Sequence, residues 1–68
     1  MAAAIINGRR VQLPDTADEG EIRQAGGIRD GRILFKREKA GNFVIPRGSK
    51  VHVKDGDVFN DSPRRIKG

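Results

Sequence analysis

The chain has 68 residues, enough for one small domain, and a domain of this size buries only about 60% of its unfolded surface. It has no room for a deep catalytic cleft, so we predict that the protein is not an enzyme. The absence of cysteine excludes disulfide bonds, thiolate zinc sites and a cysteine nucleophile in this chain. Fourteen Lys and Arg against nine Asp and Glu give a formal net charge of +5, which attracts acidic partners, whether nucleic acid or protein.

The first predicted element is a β-hairpin centred on Asn7-Gly8, because Asn-Gly is the preferred pair for a two-residue type I′ turn. Strand alternation across this turn places four side chains on one face, namely Ala4, Ile6, Val11 and Leu13. Ile5 is then predicted on the opposite face, paired with Arg10. Pro14 has no N–H for the ladder and ends the second strand.

A short helix is predicted next, from about Ala17 to Ala25. Thr16 and Glu19 have the spacing of a capping box, in which each side chain satisfies a free backbone N–H at the helix start. Gly26-Gly27 stops the helix because glycine readily adopts the left-handed conformation of a C-cap. A helix this short needs packing to be stable. The side chains predicted to supply that packing are Ile22, Ala25 and Ile28.

The second half of the chain is predicted to form strands. These are Arg32 to Glu38, Phe43 to Ile45 and a last strand beginning at Val58, with Val51 to Val53 as either a short strand or a turn. The three phenylalanines are predicted to lie in the core. This order of elements predicts an α+β roll in which one helix packs across a mixed four- to five-stranded sheet.

The predicted domain covers residues 1–60 and is followed by a tail over residues 61–68. The tail contains Pro63 and only one apolar residue, Ile66, so we predict a flexible basic segment in solvent. The apolar run at the N-terminus is too short for a signal-peptide core, and no segment approaches the roughly 20 apolar residues of a membrane span. We therefore predict a cytoplasmic protein with no membrane partner.

Residue patterns for catalysis or metal binding are weak in this sequence. His52 is the only histidine, and a lone histidine cannot build a metal site, so we predict a surface residue. The Asp55-Gly56-Asp57 segment is typical of a turn. Ser49 and Ser62 have no base near them in the sequence. We therefore assign no catalytic residue, no metal ligand and no cofactor to this chain.

Several short segments, taken in order, resemble the ubiquitin-like β-grasp superfamily over nearly the whole chain. They are Ile5-Ile6-Asn7-Gly8, Val11-x-Leu13-Pro14, an acidic helix start, Ala25-Gly26-Gly27-Ile28, Val51-x-Val53-x-Asp55-Gly56-Asp57 and Phe59 to Pro63. The chain is most similar to small bacterial ubiquitin-like modifiers of the multiubiquitin type, which are related to sulfur carriers. The resemblance implies a ubiquitin-like β-grasp roll.

The resemblance also implies that Gly68 is the conjugation site. In this superfamily a partner enzyme uses ATP to adenylate the terminal glycine carboxylate, which a cysteine or lysine then attacks. Glycine has no Cβ, so its carboxylate fits a narrow channel, and basic side chains before it pair with acidic channel walls. The predicted tail contacts are Arg64, Arg65, Ile66 and Lys67. The implied partners are an activating enzyme, a conjugating enzyme, a metalloprotease and target proteins.

Two other functions remain open. Sulfur carriers and most modifiers end in Gly-Gly, whereas Lys67 precedes Gly68 here. One alternative is a sulfur carrier, in which the terminal carboxylate becomes a thiocarboxylate. The other is a non-covalent binding module for RNA or an acidic protein. RNA is the less favoured partner, because a single-strand binder displays aromatic side chains for base stacking and the phenylalanines are predicted to be buried.

A partner-binding surface is predicted on the sheet face that points away from the helix. Alternation in the third strand separates Leu34 from Ile33 and Phe35, and we predict that Leu34 points outward. The resemblance implies an apolar recognition patch on that outer face. We therefore expect Ile5 and Leu34 to contribute to one surface; the alternative is a single exposed leucine, which is common in soluble proteins.

Overall fold

The computed structural model describes residues 1–63, which form seven strands and one helix. The elements are β1 Ala2–Ile6, β2 Arg9–Leu13, β3 Thr16–Asp18, α1 Glu19–Gly26, β4 Arg32–Glu38, β5 Gly41–Val44, β6 Lys50–His52 and β7 Val58–Pro63. The larger sheet has the order β2-β1-β7-β4-β5, and β3 pairs with β6 in a separate two-stranded sheet. β1 and β7 are parallel, and all other neighbours are antiparallel. The prediction of an α+β fold with a mixed sheet and one helix is confirmed.

The opening hairpin is also confirmed. Asn7 and Gly8 have φ angles of 51° and 83°, the positive values that a type I′ turn requires. The register pairs Ile5 with Arg10 and Ala4 with Val11, as alternation from the turn predicts. The core face of the hairpin is therefore the predicted one.

The helix begins at Glu19, two residues later than predicted, and Thr16 is not its cap. Asp18 is the N-cap: its carboxylate accepts from the Glu21 N–H at 2.8 Å, and the Glu21 carboxylate accepts from the Asp18 N–H at 2.9 Å. Thr16 lies in β3 opposite His52, and this long-range pairing holds it extended. The sequence contains two overlapping capping boxes, and the β3–β6 pair selects the second. Gly27 ends the helix in the left-handed conformation, as predicted.

The last strand extends beyond its predicted end. β7 pairs with β4 as far as Pro63, which lies opposite Arg32, so residues 61–63 are strand and the prediction of a frayed segment is wrong for them. Asp61 explains the extension, because its carboxylate pairs with Arg32 and accepts a hydrogen bond from Asn7 Nδ2 at 2.7 Å. Both partners are distant in sequence, so local composition does not reveal them. The remainder of the predicted tail, residues 64–68, lies outside the described residues.

The core lies between α1 and one face of the five-stranded sheet. Its largest fully buried side chains are Phe59, Ile6, Leu13, Ile22 and Leu34. The helix approaches the sheet closely at Gly26, where an added Cβ would lie 2.4 Å from Ile6 Cγ2. A side chain at this position would displace Ile6, so Gly26 is required by packing as well as by its place next to the helix C-cap.

Leu34 belongs to this core, with only 1% of its surface exposed, and the prediction that it points outward is wrong. Alternation correctly separates Leu34 from Ile33 and Phe35, but it does not say which face of a strand is inward. The register with β7 decides the question. Lys36, on the same face of β4 as Leu34, lies opposite the fully buried Phe59.

Candidate functional site

The sheet face opposite α1, here called the outer face, carries a row of apolar side chains across four strands. In the register, Ile5 lies beside Val58, and Phe35 lies beside Val44. The side chains of Ile5, Val58 and Phe35 are half-buried, and Val44 is 64% exposed. Ile5 therefore occupies the face predicted for it, but its predicted companion Leu34 does not. Phe35 of the same strand takes that place, so the prediction that Phe35 lies in the core is wrong.

The charged side chains of the outer face are arginines. Arg10 pairs with Ile5 across β1 and β2, and Arg37 pairs with Val58 across β4 and β7; both arginines are exposed. The two acids in the strands of this sheet, Glu38 and Asp61, have the opposite alternation and lie on the α1 side. The outer face thus combines apolar side chains with positive charge.

Positive charge is concentrated in residues 29–56, which contain eight Lys and Arg against three Asp and Glu. The rest of the chain has six of each, so this segment carries the whole formal net charge of +5. Three of its cations form ion pairs with residues in 1–63, namely Arg32 with Asp61, Lys36 with Glu38 and Asp57, and Arg47 with Asp30. Five cations form no ion pair within the described range: Arg29, Arg37, Lys39, Lys50 and Lys54.

β5 is an edge of the five-stranded sheet, and all four of its residues are exposed. Phe43 is 52% exposed and Val44 is 64% exposed. The prediction that Phe43 lies in the core is therefore wrong. Because no strand formed by residues 1–63 lies beyond β5, its side chains have sheet neighbours on one side only. The sequence around Phe43 carries no local signal of this exposure, because the exposure follows from the place of β5 in the sheet order.

The β4–β5 register also determines which backbone groups face the free edge. Ile45 N–H donates to the Leu34 carbonyl at 2.9 Å, and Phe35 lies opposite Val44. Hydrogen-bonded and non-hydrogen-bonded pairs alternate along an antiparallel ladder, so Phe35 and Val44, next to the hydrogen-bonded pair of Leu34 and Ile45, form a non-hydrogen-bonded pair. Asn42, two residues before Val44, belongs to a pair of the same kind. The N–H and C=O groups of Asn42 and Val44 therefore point away from β4, toward the side where the sheet ends.

An open cleft of about 320 Å³ lies at the end of β5. Its lining residues are Arg23, Ile33, Leu34, Val44, Ile45, Pro46 and Arg47. Arg23 is fixed in place, because it pairs with Glu19 and donates from Nη1 to the Arg29 carbonyl at 2.8 Å. Arg47 is more accessible and pairs with Asp30 at the surface. The cleft is thus an apolar pocket with a basic rim.

Glu19 fixes the loop that forms one wall of this cleft. The Arg23 side chain donates to its carboxylate, and the Gly48 N–H donates to Oε1 at 3.2 Å. The hydrogen bond from Arg23, assisted by that from Gly48, holds the pKa of Glu19 below its ordinary range although burial opposes the shift. The backbone N–H of Glu19 also donates to the Ser49 carbonyl at 2.8 Å. The start of α1 and the loop after β5 therefore form one rigid unit.

Three of the polar residues considered for chemistry, Asp55, Asp57 and Ser49, have structural hydrogen-bond partners. Asp55 accepts from the Ala3 N–H and Asp57 from the Lys54 N–H, each at 2.8 Å, so the predicted turn at Asp55-Gly56-Asp57 is confirmed. Ser49 Oγ donates to the Pro46 carbonyl at 2.8 Å, and His52 is exposed in β6. Within residues 1–63, no group of three or more His, Cys, Asp or Glu side chains is placed to hold a metal ion.

The remaining predicted site residues, Arg64, Arg65, Ile66, Lys67 and Gly68, lie outside the described residues. The helix found in residues 1–63 is too short and too polar to cross a lipid bilayer.

In a comparison with protein families, residues 29–56 match the family described as the PBCV-specific basic adaptor domain. The match covers 28 of the 68 residues and coincides with the segment that carries the net charge. No curated protein and no solved structure matches the chain at a significant level. The chain is thus similar to a basic adaptor domain over β4, β5 and β6.

Proposed function

We propose that the protein is a ubiquitin-like modifier with a β-grasp fold, transferred to a partner or target protein through the carboxylate of Gly68. The observation that carries the proposal is the order of the larger sheet, in which the last strand β7 lies between β1 and β4. This is the arrangement expected of the β-grasp fold, where the first strand and the strand after the helix flank the last one. The parallel β1–β7 pair and the single helix support the same fold.

The position of β7 also suits a terminal acyl donor. β7 is the central strand: it pairs with β1 at Val58 and Phe59, and with β4 along its whole length to Pro63. Four residues separate Pro63 from Gly68. The proposed acyl donor therefore lies within five residues of a strand that is hydrogen-bonded into the sheet.

The proposed transfer has two steps. An activating enzyme joins the Gly68 carboxylate to the AMP part of ATP and releases pyrophosphate. A thiol or a lysine amine of an acceptor then attacks the carbonyl carbon, and AMP leaves. The chain supplies the acyl group, and the activating enzyme and its ATP supply the catalysis.

The test is to incubate the protein with ATP and an extract of the cells that produce it, and to search for adducts by mass spectrometry. A Gly68 deletion is the matched variant, because it leaves residues 1–63 unchanged. ATP-dependent adducts that the deletion abolishes would support a modifier. A terminal thiocarboxylate without protein adducts would instead identify a sulfur carrier. Adducts of equal amount in both proteins, or in neither, would reject transfer through Gly68.

A second candidate is a non-covalent binding module for an acidic protein or RNA. It is favoured by the concentration of the whole net charge in residues 29–56, beside the exposed Phe43 and Val44. The description of the matching family as a basic adaptor domain supports the same function. This candidate needs no covalent step, so a Gly68 deletion should bind its partner as tightly as the unaltered chain. Binding in which affinity for RNA falls steeply with salt would favour the nucleic acid.

A further inference from the structure

We propose that the β5 edge binds an extended acidic segment of a partner protein, which adds to the five-stranded sheet as a sixth strand. The proposal rests on the second candidate function, binding of an acidic protein, and specifies where and how that binding occurs. It does not require transfer through Gly68. Three features of the edge carry it: its backbone groups, its side chains and its charge.

The backbone groups of the edge match those of another strand. The N–H and C=O groups of Asn42 and Val44 face away from β4, at the spacing that one further antiparallel or parallel strand requires. An added strand obtains main-chain hydrogen bonds at such an edge, while its alternate side chains meet the two faces of the sheet. The free segment is short, so the added strand is held by two residues of β5 and by side-chain contacts around them.

The side chains of β5 are not those of a protected edge. Natural edge strands avoid pairing by presenting charged side chains, proline or bulges. β5 instead exposes Phe43 on one face of the sheet and Val44 on the other, with 52% and 64% of their surfaces open. A partner strand beside β5 would cover both. The cleft next to Val44 would then receive an apolar side chain of the partner.

The positive charge around the β5 edge favours an acidic partner strand. Arg37, Lys39 and Arg47 surround β5 in the sheet and its flanking loops. Arg47 is paired with Asp30, and Glu38 lies between Arg37 and Lys39 in sequence. Arg37 and Lys39 form no ion pair with any residue in 1–63. These cations attract an acidic strand. They disfavour a second copy of this chain, because edge-to-edge pairing of two β5 strands would bring the same cations together.

Selection of random peptides on the whole protein tests the proposal. The same library is counter-selected on Val44→Pro. This substitution removes the outward N–H of Val44 and leaves the β4–β5 bonds in place, because Val44 is in a non-hydrogen-bonded pair. We expect enriched peptides to be acidic, with alternating β-branched or aromatic side chains. A binding preference of about tenfold for the unaltered protein corresponds to one lost hydrogen bond.

An enriched peptide then serves as the probe for mapping. In amide-detected NMR, the Asn42 and Val44 N–H groups should show the largest shifts and slower hydrogen exchange when the peptide binds. Val44→Thr is the control for Val44→Pro, since it keeps the N–H and a β-branched side chain. It should bind at least several-fold tighter than the proline variant, and thermal unfolding shows whether either variant remains folded.

Charge reversal provides an independent test that does not alter the edge backbone. The double variant Arg37→Glu and Lys39→Glu should bind the same peptide more than tenfold more weakly. Its matched control is Arg9→Glu and Arg10→Glu, which makes the same change in net charge on β2, at the opposite edge of the sheet. The control should lose much less affinity, and raising the salt concentration should reduce the difference between the two.

Several results would overturn the proposal. One is a library in which no peptide prefers the unaltered protein to Val44→Pro. Another is mapping of the enriched peptides to β2 and α1, which would keep acidic-protein binding as a function but remove it from β5. Equal losses for the two charge-reversed variants would show general electrostatic attraction only. RNA that binds with larger shifts at Asn42 and Val44 than any peptide would assign the edge to nucleic acid, and concentration-dependent dimerisation through these amides would assign it to a second copy.

Discussion

Asn7 and Asp61 exchange two hydrogen bonds across 54 residues of sequence. The Asn7 Nδ2 group donates to the Asp61 carboxylate at 2.7 Å, and the Asp61 backbone N–H donates to Asn7 Oδ1 at 3.2 Å. The same carboxylate also pairs with Arg32. The turn of the first hairpin, the end of the last strand and the start of β4 are therefore joined at one point.

Replacing Asn7 by aspartate should destabilise the fold by about 1–3 kcal/mol. Asp tolerates the left-handed backbone of this position, where φ is 51°, so the turn itself is retained. The donor to Asp61 is lost, however, and a second carboxylate is placed against the first. Urea unfolding at neutral pH measures the change.

The control for this prediction is Asn7→Gly, which keeps the turn and removes the side chain without adding charge. It should cost less than Asn7→Asp, on the order of 1 kcal/mol. Equal stability of the two variants would mean that repulsion between residue 7 and Asp61 contributes nothing. An aspartate variant as stable as the unaltered protein would contradict the proposed junction.

Gly26→Ala should destabilise the protein by about 1–3 kcal/mol through overpacking. The new Cβ would lie 2.4 Å from Ile6 Cγ2, and Ile6 is held in the centre of the core. The matched control is Gly20→Ala in the same helix, where the nearest atom to the new Cβ is Asp18 Oδ1 at 3.5 Å. Alanine should stabilise that position by up to about 1 kcal/mol. Thermal unfolding of the two variants should therefore shift in opposite directions; a shift in the same direction would contradict the close approach of helix and sheet.

Elements whose causes are local could be predicted from the sequence. The Asn7-Gly8 turn fixes the hairpin register by itself, and β4 has the predicted bounds of Arg32 and Glu38. Gly27 ends the helix because glycine readily adopts the left-handed C-cap conformation. Where the sequence allows two local structures and pairing with a distant strand selects one of them, the local pattern does not predict the outcome. Thr16 satisfies a capping pattern, yet β6 holds it in a strand.

The same distinction between local causes and long-range pairing applies to the residues of the candidate site. Ile5 could be placed on the outer face because its position depends only on the hairpin turn. Leu34 could not, because alternation leaves the inward face undecided until the β4–β7 register is known. The sequence predicts Phe43 in the core, but its exposure depends on β5 being at the edge of the sheet. The order of strands is a property of the whole fold, and no local pattern encodes it.

Truncation of Leu34 should show that its side chain lies in the core and not on the outer face of the sheet. Leu34→Ala removes a side chain with 1% exposure and should cost about 2–5 kcal/mol, since it leaves a cavity in the core. Val44→Ala, on the outer face and 64% exposed, should change stability by no more than about 0.5 kcal/mol. Chemical unfolding of both variants is the measurement. If Leu34→Ala were as stable as Val44→Ala, the result would contradict the burial of Leu34 and support the original prediction that it points outward.

Stability should fall on acidification because two carboxylates have lowered pKa values in the folded state. Burial alone raises the pKa of Asp61, but hydrogen bonds from Arg32 and Asn7 outweigh it and hold the pKa below its ordinary value. The pKa of Glu19 is lowered chiefly by its hydrogen bond from Arg23. Each group therefore contributes stability that is complete above its ordinary pKa, about 4, and is lost as the pH falls through its lower folded-state pKa.

Urea unfolding as a function of pH tests this directly. The free energy of unfolding should be nearly constant from about pH 5 to neutrality and should decrease below about pH 4. Glu19→Gln should lower the plateau and make the acidic decrease shallower, because the titrating group is gone while burial of the side chain is retained. Asp30→Asn is the control for removing a paired carboxylate: that carboxylate is 82% exposed in its surface pair with Arg47, so the substitution should leave the plateau unchanged. A Glu19→Gln variant whose acidic decrease is as steep as that of the unaltered protein would show that Glu19 is not one of the linked groups.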